Sequence, residues 1–213
     1  MLAWKEFERL STANERRIVE RLTTPAKLQS FLDDLPYRSE IRYRSPLSVL
    51  RDRRGHCFDG AVLAAAGLWR MGYPPRILEM LPNARDDDHI VAVYRRNGCW
   101  GAVAHSNFAG LRYREPVYRT LRELVMSYFE GFYNLRREKT LRGYTAPVNL
   151  TRFDSHRWMT RDETMREIAK RLDQVPRRRL LSGRMVRTLA PVDNRAFRAG
   201  LTGAVRSGLY RPR

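Results

Sequence analysis

Cysteine is scarce. The 213-residue chain has two, Cys57 and Cys99, too few for a disulfide framework at this length. The opening residues MLAWKEFERL lack the basic-then-apolar order of a secretory signal, so a cytoplasmic location is expected. Long hydrophobic runs are missing too: the longest, over residues 61–69, falls far short of the roughly 20 apolar residues that cross a bilayer, and no transmembrane segment is predicted. There is no internal repeat and no low-complexity tract beyond an enrichment in arginine.

Acidic residues are in short supply, 23 Asp and Glu against 41 Lys and Arg, for a formal charge of +18. Half of that surplus sits in residues 175–213, which hold ten Arg and one acidic residue, a net +9. A field of this sign attracts phosphate backbones, anionic lipid or acidic proteins. Nucleic acid or an acidic partner is therefore a candidate ligand of the tail, beside the simpler account of a solvated basic extension. Apolar material is present in ordinary measure, 43% hydrophobic and 10% aromatic, enough for one main domain with a packed core.

Thr24-Pro25 reads as a helix cap followed by Pro at the first helical position, with Leu28, Phe31, Leu32 and Leu35 at helical spacing after it. Ser45-Pro46 opens a second short helix that leads to an Arg53-Arg54-Gly55 turn. From Cys57 to Met71 the chain is apolar nearly all round, which predicts a central buried helix stopped by Gly72, Pro74 and Pro75. RILEM, HIVAVYRR and CWGAVAHS then read as three antiparallel strands packed on that helix, the last two joined by an Asn97-Gly98 turn. A core-facing helix is expected over Leu121, Leu124, Val125, Tyr128, Phe129 and Phe132, and a charged one from a Thr160/Glu163 capping box to about Asp173. The organisation expected is an N-terminal helical segment at 1–23, an α+β domain at 24–149, and a basic helical or irregular extension at 150–213.

Cys57 stands where a helix begins, and free backbone N–H groups and the positive end of the helix dipole favour a thiolate there. A base is still needed. His56 adjoins the cysteine and points elsewhere, and His156 lies in an irregular stretch. His89, opening a strand, is the best candidate, with His105 in reserve. Cys99, beside a hairpin turn, reads as structural.

Gly55-x-Cys57, the alanine-rich helix, Gly72-Tyr73-Pro74-Pro75-Arg76, His89 at a strand start and Trp100 in the next strand follow one another in an order that resembles the transglutaminase-like cysteine hydrolase superfamily, over residues 45–107. The resemblance implies a papain-like core in which a helix bearing Cys packs on an antiparallel sheet bearing His. It implies Cys57 as nucleophile on a peptide or amide carbonyl, His89 as proton carrier, and water or an amine to resolve the acyl enzyme. The family's third residue, an Asp four positions after the tryptophan, falls on Ala104, which cannot orient an imidazole. Asn107 is the preferred substitute, before Ser106 and His105.

No cofactor is implied. Asp86, Asp87, Asp88 and His89 offer oxygen ligands beside an imidazole, but successive residues point different ways, so no metal site is assigned and the carboxylates are read as tuning His89. Thiol-dependent acyl transfer is the expected function. The rivals are an inactive relic of the scaffold whose Arg-rich tail binds nucleic acid or an acidic partner, and a structural subunit whose partner covers that tail. Sequence alone fixes neither the substrate nor the oligomeric state.

Overall fold

Two short helices, α1 (Leu2–Leu10) and α2 (Ala13–Arg21), open the computed structural model, which describes residues 2–211. Thr12 caps α2 by accepting from the Glu15 N–H, while the Glu15 carboxylate accepts from the Thr12 N–H at 2.6 Å. The two Ser/Thr-Pro starts behave as predicted: Thr24 caps α3 (Pro25–Asp33) and Ser45 caps α4 (Pro46–Asp52). The central helix α5 (Cys57–Arg70) is buried from Cys57 through Leu68.

Strands β1 (Arg76–Pro82), β2 (His89–Arg96) and β3 (Cys99–Val103) follow, with Asn97 and Gly98 making the expected turn. After them come β4 (Arg114–Tyr118), α6 (Leu121–Met126), β5 (Leu141–Thr145), β6 (Val148–Asn149), α7 (Glu163–Gln174), β7 (Arg177–Arg179), α8 (Gly183–Arg187) and α9 (Asn194–Gly200). All pairings in the seven-stranded sheet are antiparallel, in the order β4-β3-β2-β1-β5-β7 with β6 also on β1. The α+β class and the Cys57 helix packed on an antiparallel sheet are as predicted.

The sheet separates two apolar layers. On one face Ile77, Ile90, Ala92, Tyr94 and Val103 meet α5, and on the other Leu78, Met80, Val91, Val93 and Ala102 meet Leu124, Val125, Tyr128 and Phe132. Strand alternation makes this division, since successive side chains point to opposite faces. Phe7, Val19 and Leu22 from the N-terminal helices join the α5 layer, as do Trp158, Met165, Ile168 and Leu172. Thus residues on both sides of the 24–149 segment complete the same core.

Two predicted helices differ. The one expected through Phe132 stops at Met126, and a 3-10 turn over Phe129–Gly131 carries the remaining aromatics into the core. The Thr160 capping box does not form: Asp162 is the cap residue of α7, and its carboxylate instead accepts from the Ser45 N–H at 2.9 Å. Among the described residues no helix is long and apolar enough to cross a membrane.

Candidate active site

The chain reaches Cys57 through a buried ionic anchor. Asp59, on the first turn of α5, accepts from the Arg44 N–H at 2.8 Å and the His56 N–H at 3.3 Å, and lies 3.4 Å from Arg44 Nη1. Arg44, fully buried, also pairs with Asp52 at 2.9 Å and with Glu40. Three segments, the loop before α4, the end of α4 and the start of α5, are tied to one guanidinium, and that fixes where the thiol sits.

Cys57 is 8% exposed and borders a cavity of about 370 Å³ lined by Tyr37, Tyr43, His56, Glu79, Asp87 and Asp88 among others. Its Sγ lies 4.0 Å from the Asp88 carbonyl oxygen. Burial, followed by the Asp88 charge, pushes the thiol pKa well up; the Ile90 N–H works against this and is outweighed. Tyr37 lines the same cavity, and burial, followed by the charge of Cys57 nearby, pushes its hydroxyl pKa up.

The structure does not bring His89 to Cys57. His89 shares the sheet face of Val91 and Val93, opposite α5, and its Nε2 donates to the Leu111 carbonyl at 2.8 Å. Burial lowers its pKa to about 4, so it is a neutral structural imidazole. Nor does Asn107 orient it: both functional atoms of the Asn107 amide are taken by the backbone of Val205, at 2.9 and 2.7 Å. Ala104, where the third residue was expected, has its backbone N–H and C=O held by the Gln29 side chain at 3.0 and 2.8 Å. Ser106 Oγ accepts from the Phe108 N–H.

The reserve histidine is on the right face. A Cβ on Gly60 would lie 2.2 Å from His105 Cβ, so only glycine lets β3 approach α5 this closely. The His105 ring lies 5.3 Å from that of Tyr37, its Nε2 is buried without a hydrogen-bond partner, and burial lowers its pKa to about 4. His56 stands edge-on to Tyr43 and 3.5 Å from Asp59, and His156 pairs with Glu167 at the surface.

The acidic groups are what sequence reasoning undervalued. Burial first, and then the Glu79 carboxylate alongside, push the Asp88 pKa up to about 7. Glu79 is 7% exposed, and its Oε2 is buried without a hydrogen-bond partner in the described structure. A lone carboxylate inside the apolar strand RILEM was the available signal. Tyr37 and Tyr43, from a loop without periodicity, gave none. Among the described residues no group of three or more His, Cys, Asp or Glu is arranged to hold a metal ion.

No family model matches the chain, and no curated protein matches it. Solved structures overlap it in part. Legionella pneumophila LapG, EGTA-treated, overlaps 48% of this chain and 69% of its own at a TM-score of 0.37 with 17% identity. Its calcium-bound form overlaps 49% and 70% at 0.36, again with 17% identity. A protein from Cytophaga hutchinsonii, provisionally a cysteine protease, overlaps 49% of this chain and 35% of its own at 0.33 with 19% identity. Overlaps this partial establish no shared activity.

Proposed function

We propose that the protein is a thiol-dependent acyl-transfer enzyme acting on a peptide or amide, with Cys57 as nucleophile and a carboxylate, Asp88, as the proton acceptor. One observation carries this reading: the thiol at the head of α5 borders a cavity that Asp88 also lines, with Sγ 4.0 Å from the Asp88 carbonyl oxygen. A carboxyl group with a pKa of about 7 is a stronger base than an ordinary carboxylate, near the optimum for proton transfer at neutral pH. As Sγ attacks the carbonyl carbon, Asp88 takes the thiol proton. The C–N bond then breaks, that proton leaves with the amine, and water cleaves the thioester to restore the thiol. The Cys57 backbone N–H, at the first turn of α5, is the donor for the oxyanion.

Alkylation by iodoacetamide tests the assignment, followed by mass spectrometry in a Cys99→Ser background so that a single thiol reports. The rate at Cys57 should rise with pH through about 7, and Asp88→Asn should remove that step and lower the rate at neutral pH by about tenfold. His89→Gln should leave the profile unchanged. An inflection only above the ordinary thiol range, identical in wild type and Asp88→Asn, would defeat the proposal.

Binding of nucleic acid or an acidic partner through the basic C-terminal region is the second reading. The observation that favours it is β7, an edge strand whose three arginines, Arg177, Arg178 and Arg179, are all exposed. Affinity for a random-sequence duplex should fall steeply with salt, with a log-log slope less steep by about 2–3 units when all three are changed to Gln. A slope that does not change removes this surface from consideration.

A further inference from the structure

The segment over residues 192–208 packs back on the domain. Val192 N–H donates to the Arg137 carbonyl at 2.9 Å, and Phe197 of α9 packs on Tyr133 with ring centroids 5.8 Å apart. The Tyr133 hydroxyl donates to the Ala196 carbonyl at 3.0 Å. These contacts carry the segment from 205 to 210 back across the molecule to the end of β3. There the Asn107 amide brackets the backbone of a single residue, donating through Nδ2 to the Val205 carbonyl at 2.9 Å and accepting at Oδ1 from the Val205 N–H at 2.7 Å. A side-chain amide used in this way reads backbone and not side chain, as a neighbouring strand would.

The segment then makes one 3-10 turn, Arg206–Gly208, closed by Gly208 N–H donating to Val205 O at 3.0 Å. Gly208 comes to rest between two side chains. A Cβ there would lie 3.0 Å from Tyr37 Cδ1 and 3.3 Å from Asn107 Nδ2. Neither neighbour is free to yield. Asn107 is fixed by its two bonds to Val205, and Tyr37 is held by its backbone bridge to Gly55 and its ring against His105. The groove is also bordered by Asp87, Asp88 and Phe108.

We propose that Asn107 and Tyr37 form a peptide-binding site beside the Cys57 cavity, one that takes a short turn by its backbone and admits only glycine three residues beyond the residue Asn107 holds. The chain's own segment 205–208 fills this site in cis. Its ligand class is a peptide carrying Xaa-Xaa-Xaa-Gly in a single turn, and the site stands whether or not Cys57 is a nucleophile. Tyr37 lines both the groove and the Cys57 cavity, so the two are direct neighbours.

The test uses the full-length protein and, as probe, a fluorescein-labelled peptide of residues 203–211, Gly-Ala-Val-Arg-Ser-Gly-Leu-Tyr-Arg, followed by fluorescence anisotropy. Gly208→Val expels the tail by crowding, and Val205→Pro expels it by deleting the N–H that Asn107 accepts. Both should bind the probe about tenfold or more tighter than wild type, whose tethered segment competes at high effective concentration. Ser207→Val, at an exposed position, should behave as wild type. A probe with its inner glycine changed to valine should lose at least about tenfold on both expelled variants, which separates groove binding from charge attraction. If neither variant gains affinity, or glycine and valine probes bind alike, the site does not exist as proposed.

Discussion

Replacing Arg44 by leucine should cost about 3–5 kcal/mol of folding stability, read as a fall in the urea midpoint at unchanged slope. The size of the effect comes from what remains behind. Asp59 is fully buried, and even with Arg44 in place burial raises its carboxyl pKa. Without the guanidinium, Asp59 keeps the Arg44 and His56 backbone N–H groups but loses its arginine, whereas Asp52 keeps Arg42 at 3.2 Å and Glu40 keeps Arg54 at 3.6 Å. A buried charge without its partner is the costly case; a pair removed together is the mild one. Arg44→Leu with Asp59→Asn should accordingly recover more than half of the single-variant loss, since the neutral amide needs no counter-charge. A cost below about 1 kcal/mol for Arg44→Leu would mean that water reaches Asp59 and that the anchor is not dry. The same variant should disturb Cys57, because Asp59 holds the His56 N–H one residue before it.

The helices and the order of the strands were legible because each was marked by local chemistry. Thr24-Pro25 and Ser45-Pro46 cap what they precede, Gly72 and the prolines end α5, and Asn97-Gly98 turns β2 into β3. The face on which each strand residue lands was not legible. HIVAVY is apolar after its first residue and buried at every position, and a strand buried on both sides shows no alternation, so nothing in it says whether His89 or Ile90 meets α5. The resemblance to transglutaminase-like hydrolases placed His89 on the cysteine's side; the one-residue parity of β2 puts it on the other, where the Leu111 carbonyl accepts its hydrogen bond. The Asn107 assignment failed for a different reason: its partner, Val205, is 98 residues away, beyond any local pattern. β7 had the same fault, because three consecutive arginines look like a solvated run until β5 supplies its hydrogen-bond partner.

At pH 8, Asp88→Asn should be more stable than the wild type by on the order of 2 kcal/mol relative to the same comparison at pH 4, with partial exposure already discounted. The sign follows from where the proton is held. Burial and the Glu79 carboxylate raise the folded-state pKa of Asp88 to about 7, whereas in the unfolded chain it titrates near the usual 3.8. Between those values the folded protein binds the extra proton, so raising the pH drains stability through that window and leaves the full penalty above it. Below pH 4 both states are protonated and the penalty vanishes. Asparagine keeps the shape and can still donate to the Glu79 oxygen that otherwise lacks a partner, but carries no charge to desolvate. Urea titrations of both proteins at pH 4 and pH 8 measure the difference, and a gap that does not widen with pH would show that Asp88 titrates as an ordinary surface carboxylate. Under the proposed role of Asp88, the same substitution should therefore slow Cys57 alkylation and make the fold more robust at high pH.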